Sequence, residues 1–167
     1  MVRVQGGVAA VGSPSTPVPM PKVARFAHLF LLIGFGGQVL FGHLVAFGLG
    51  SPLMAWHQDR VGLALWGHAA FGSEAAAYQT WAAGLIGGTI ISYAWAMLWL
   101  TAVPLRRGER WAAWAIAIAT SNWCVVDTAI SLVGKVWVNV IFNLVALSSV
   151  MIPLALMVPW LREASAE

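Results

Sequence analysis

Long apolar runs alternate along this chain with short polar and basic connections. The dominant runs cover about 25–49, 79–103, 111–134 and 136–160. Each offers the roughly 20 residues that a helix needs to cross the hydrocarbon of a bilayer. The third, Trp111 to Gly134, is the most informative, because it is almost wholly apolar yet carries Asp127 well inside it. A carboxylate at such a depth costs about 2.5–3.5 kcal/mol on insertion scales, so it must face protein or water rather than lipid. These runs predict an all-α integral membrane protein, a four-transmembrane-helix bundle over residues 23–161.

The connections fit that layout. Residues 1–22, rich in Gly, Pro, Ser and Val, read as a flexible tail, and 162–167 as a short second tail. Lys22 and Arg25 precede the first run, which is longer than the apolar stretch of a signal peptide and reads as a retained span. Residues 50–78 are too apolar for a solvated loop and too interrupted by charge to span. Pro52 can open a short interfacial or re-entrant helix there, with Trp56 and Trp66 as anchors. Pro104 and the basic turn RRGER close the second span, and Gly134-Lys135 makes the turn after the third. Pro153 is expected to kink the fourth.

Composition sharpens the class. The chain is 60% hydrophobic and only 9% charged, against about 25% charged in ordinary globular domains. A net charge of +3 is no nucleic-acid footprint, since the basic residues flank spans and form no continuous patch. One cysteine, Cys124, excludes an intrachain disulfide and any cysteine-based metal cluster. Arg3, Lys22, Arg25, Arg106, Arg107, Arg110 and Arg162 share one side of a four-span layout, with Arg60 and Lys135 on the other. By the positive-inside rule both termini are cytoplasmic, and a prokaryotic inner membrane is the expected location.

Helical phase puts Ala113, Ala117, Thr120, Cys124, Asp127, Ser131 and Gly134 on one stripe of the third span, with Ile116, Ile118, Val125 and Val126 largely elsewhere. Asp127 lies about two turns from the far end of its span, the depth of His43 on span one and of Asn139 and Asn143 on span four. His43, Asp127, Asn139 and Asn143 therefore define a candidate intramembrane polar cluster, with Gln38 and Thr89 nearby. Such a cluster can handle a proton or a ligand, or can hydrogen-bond helices together as structural glue. On span two, Gly84, Gly88 and Ser92 recur every four residues, a small-residue ridge suited to close helix packing.

Cofactor chemistry has little footing. His28 and His43 are the only histidines within the spans and sit near opposite ends of span one, so haem or quinone is expected only through a partner chain. His57, Asp59, His68 and Glu74 lack a zinc-type spacing, and no metal site is assigned. The phosphate-loop, G-x-S-x-G and HExxH signatures are absent, and no residue is assigned as catalytic. Three readings follow. The first is a protein that acts by helix packing, as a homo-oligomer or as an accessory subunit alongside other membrane subunits. The second is a small proton-coupled transporter or channel using Asp127. The third is a redox or lipid-modifying subunit using His43 and Asp127. In all three the lipid bilayer is the immediate partner.

Overall fold

The computed structural model describes residues 19–67 and 72–164, so the tail expected over 1–22 and the end of the 162–167 segment fall mostly outside the described residues. The described chain is helical, without a strand. Helix α1 spans Lys22–Phe47, α2 Pro52–Trp66, α3 Ser73–Ala102, α4 Arg110–Val133 and α5 Trp137–Ala164. Four of these, α1, α3, α4 and α5, are long and apolar enough to cross a membrane.

Local chemistry sets the boundaries. Pro52 occupies the first turn of α2, where its missing N–H costs nothing, and Gly67 closes that helix at φ 75°, its N–H bonded to the Leu63 carbonyl. Helix α3 starts six residues ahead of the expected 79, because Glu74, the three alanines after it and Tyr78 continue the helix. Between α3 and α4, a 3-10 turn over Leu105–Arg107 ends on Gly108 at φ 81°. A Cβ there would lie 2.7 Å from Cβ of Ala164, so the turn sits tightly against the end of α5. After α4 the left-handed residue is Lys135 (φ 56°), whereas Gly134 keeps an ordinary φ of −77°. Helix α5 runs through both Pro153 and Pro159.

The packing order is not the order of the chain. Helix α1 lies against α3 on one side and α5 on the other, α4 packs on α5, and α3 meets α4 only sparingly. Going round the bundle the order is α3, α1, α5, α4, which sets α1 and α4 diagonally apart. Helices joined by a short turn ordinarily pack as neighbours, yet α3 and α4 do not. Glycine decides otherwise: a Cβ on Gly87 of α3 would lie 2.5 Å from the Ala46 nitrogen and 2.6 Å from the Gly42 carbonyl oxygen of α1. The two backbones touch there as only glycine permits.

Burial is uneven along the bundle. One contiguous core joins Ala24, Leu31 and Phe35 of α1, Met97 of α3, Leu105, Ile116 of α4, and Leu154, Met157 and Leu161 of α5. All of these belong to the half of the bundle that ends in Lys22, Arg25, the Arg106–Arg110 turn and Arg162, here termed the basic end. Ile116, expected to lie away from the interior, is fully buried in that core. Its neighbours Ile118, Val125 and Val126 do face outward, among many exposed large apolar side chains such as Ile33, Leu40, Trp95 and Ile141. A soluble protein rarely leaves so much contiguous apolar surface uncovered, whereas a lipid solvent asks for it.

Candidate functional site

Away from the basic end, the interior changes character from apolar to hydrogen-bonded. Asn143 of α5, 3% exposed, is the hub. Its Nδ2 donates to Asp127 Oδ2 at 2.7 Å and to Thr128 Oγ1 at 3.1 Å, both on α4. Its backbone carbonyl accepts from Cys124 Sγ at 3.7 Å, and Cys124 also lies 3.8 Å from Thr128 Oγ1. The α4–α5 contact is thus polar at its centre: one asparagine serves three residues of the facing helix. Asp127 and Thr128 are half-buried, so the carboxylate is neither sealed in nor turned wholly out.

The seam continues in both directions. Toward the far end, Asn139 lies one turn before Asn143 on α5, and its Oδ1 accepts from His57 Nε2 at 2.8 Å. His57 belongs to α2, which leans on α5 through rings as well: Phe142 stands 6.3 Å from Trp56, edge to face, and 6.2 Å from His57. Arg60 sits 5.9 Å above the Trp56 ring, so this short helix carries its cation beside an aromatic face. Toward the mid-plane, one turn before Cys124, Thr120 Oγ1 shares a 2.7 Å hydrogen bond with Tyr93 OH of α3. Thr120 is 2% exposed. Below it the interior is mostly apolar, with His28 and Thr101 as the buried polar side chains.

Of the polar residues singled out from the sequence, Asp127 and Asn143 bond directly, and Asn139 lies one turn away and bonds to His57. His43 stands apart. Its ring is exposed on α1, Nδ1 donates to the Val39 carbonyl of its own helix at 2.8 Å, and Phe47 is its ring neighbour at 6.3 Å. The matching depth was legible, but depth says nothing of which helix stands opposite, and α1 is diagonal to α4. Tyr93 was not singled out; a lone tyrosine in the middle of an apolar span was the available signal.

The Gly84–Gly88–Ser92 ridge is turned away from the Gly87 contact, with Gly84 at its half-buried edge. A Cβ on Gly84 or on Gly88 would meet nothing within 4 Å, and Gly88 and Ser92 are exposed. Ser92 Oγ donates to the Gly88 carbonyl at 3.0 Å, which satisfies the hydroxyl within its own helix. His28, by contrast, is buried, and its Nε2 donates to the Thr101 carbonyl in the last turn of α3 at 2.9 Å. His68 and the Glu74 side chain lie outside the described residues. Among the described residues no three His, Cys, Asp or Glu side chains come close enough to hold a metal ion.

No protein-family model, curated protein or solved structure matches this chain.

Proposed function

We propose that this is an integral membrane protein that acts by packing its helices against other helices, as a homo-oligomer or as an accessory subunit of a membrane complex. The observation that carries this reading is the division of labour on α3. Gly87 makes the close approach within the chain, while the Gly84–Gly88–Ser92 ridge faces outward with open space above it. In lipid, helices associate through van der Waals contact and backbone approach rather than through a hydrophobic drive, and small residues permit both. By the distribution of Lys and Arg, the basic end and both termini are cytoplasmic, α2 lies along the outer interface, and the membrane is a prokaryotic inner membrane.

The test is extraction in mild detergent followed by measurement of mass and of everything that co-purifies. Gly88→Leu should release the partner copies or subunits and leave the protomer folded, because a Cβ added there meets nothing within 4 Å among the described residues. Association unchanged by Gly88→Leu would eliminate the ridge as the contact. A second reading, a small transporter or channel using Asp127, is favoured by the 2.7 Å bond that holds this carboxyl inside a span. Asp127→Asn should then abolish a proton-coupled flux in folded protein. A haem or quinone would have to be shared with a partner chain, and the exposed His43 is the residue that could offer a ligand to it.

A further inference from the structure

We propose that Asp127 is a proton-binding carboxyl that exchanges with the aqueous phase at the far end of the bundle and not with the phase at the basic end. The inference is independent of the packing reading. A self-associating protein with an inert Asp127 would fail here and keep its oligomer.

Two observations carry it. The first is the one-sided seam. Hydrogen-bonding side chains succeed one another from His57 on α2 to Asn139, Asn143 and Asp127, and end at the Thr120–Tyr93 pair near mid-plane. Asn139 and Asn143 are one turn apart on the same face, about 5–6 Å between Cβ atoms, a gap that a single water spans. Asp127 itself is only about 10 Å from the end of α4 at 1.5 Å per residue. The second observation is the seal on the opposite side. Leu31, Phe35, Ile116 and Met157 are each no more than 1% exposed, and Met97 is 6% exposed. They fill the bundle between Thr120 and the basic end, and the two buried polar side chains there, His28 and Thr101, donate to α3 carbonyls (Thr101 O and Met97 O) and not to the Thr120–Tyr93 pair. One further polar atom fits an interior that changes character at mid-plane. Gln38 Oε1 of α1, on the far-end side of Phe35, is buried and finds no protein partner among the described residues.

The step is simple in its balance. The Asp127 carboxylate takes a proton from water at the far end, becomes the neutral acid, and returns the proton by the same route. Asn143 suits both states, since its amide donates to the carboxylate and can turn its oxygen to accept from the acid. Few titratable groups lie on or beside the seam that holds Asp127. Tyr93 comes from α3 and His57 from α2, with Asp59 and Arg60 beside it, while Cys124 is on α4 itself and Lys135 at the turn beyond. Helix α5 contributes none before Arg162, and His43 of α1 is turned outward.

The experiment is infrared spectroscopy on proteoliposomes of uniform orientation, reading the carboxylic-acid carbonyl band that Asp127→Asn removes. The band should rise and fall with the pH of the bath at the far side, and ignore the bath at the Arg106–Arg110 side. Asn139→Leu should slow the response without changing its side. Equal response to both baths would overturn the proposal, as would a band that follows neither. Should Asp127→Asn fail to fold, Asp127→Glu keeps a titratable group and must displace the band in frequency; an unmoved band would show that it belongs to another carboxyl and overturn the assignment.

Discussion

Gly42 and Gly87 face each other across α1 and α3, so near that a Cβ on Gly87 would fall 2.6 Å from the Gly42 carbonyl oxygen, and one on Gly42 3.1 Å from that of Gly87. Backbone, not a flexible side-chain tip, stands in the way, so the contact cannot yield locally. Gly87→Leu should separate the two helices and cost about 3 kcal/mol or more, the upper range of overpacking penalties. Gly88→Leu, one residue away on the open face, should cost the isolated protomer almost nothing. Thermal unfolding of the two variants in the same detergent makes the comparison, and equal losses would contradict the asymmetry of α3.

Asp127 and Asn143 should be energetically coupled. A double-mutant cycle with Asp127→Ala and Asn143→Ala is expected to give about 0.5–2 kcal/mol, the range for polar pairs between membrane helices. Asn143→Ala alone should cost more than Asp127→Asn, because it also removes the partner of Thr128. Steric trap or denaturant unfolding in bicelles reads both values.

His28 acts on a helix end. Its Nε2 supplies a donor to the Thr101 carbonyl in the last turn of α3, where intrahelical partners run out and a donor is favoured by the helix dipole. His28→Phe should destabilise by about 1–2 kcal/mol, mostly through the buried carbonyl left unpaired. His28→Gln, which can restore a donor, should recover part of that loss in the same unfolding assay.

Cys124 is 4% exposed and packed between α4 and α5. A membrane-permeant maleimide should label it slowly in the folded protein and quickly after denaturation. Asn143→Ala, which loosens the same contact, should speed labelling in the folded state; rates equal to the unfolded control in the parent protein would contradict this packing.

Helix α2 is held by few contacts, the His57–Asn139 hydrogen bond among them. Its Arg60 is exposed, so limited trypsin digestion at Arg60 reports how firmly the helix is docked. His57→Ala should raise the cleavage rate there, while the Arg106–Arg107 sites at the other end of the bundle cut as before.

What could be read from the sequence divides along physical lines. Span number and the α2 start at Pro52 follow from local chemistry: length, apolarity and a missing N–H. Of the α4 stripe read from helical phase, Thr120, Cys124 and Ser131 are buried and Asp127 is half-buried, whereas toward the basic end the buried positions are Ala112 and Ile116 in place of Ala113 and Ala117. Neighbour order did not follow, because it depends on which glycine a second helix approaches. Gly84, Gly87 and Gly88 are chemically identical; only the position of Gly42 and Ala46 on α1 decides that Gly87 turns inward. For the same reason His43 and Asp127 could share a depth without sharing a face.

The neighbour order also bears on how the bundle comes together as it is synthesised. Helices α1 and α3 have their glycine contact available as soon as both have emerged, so this pair can dock early. Helix α4, third of the spans to appear, has little purchase on that pair until α5 follows it, since its main contact is with α5. The core at the basic end closes later still, because it joins Ala24 at the start of the first span to Leu161 near the end of the last. Until α5 docks, α4 has little to pack on, and Asp127 lacks the asparagine that accommodates it.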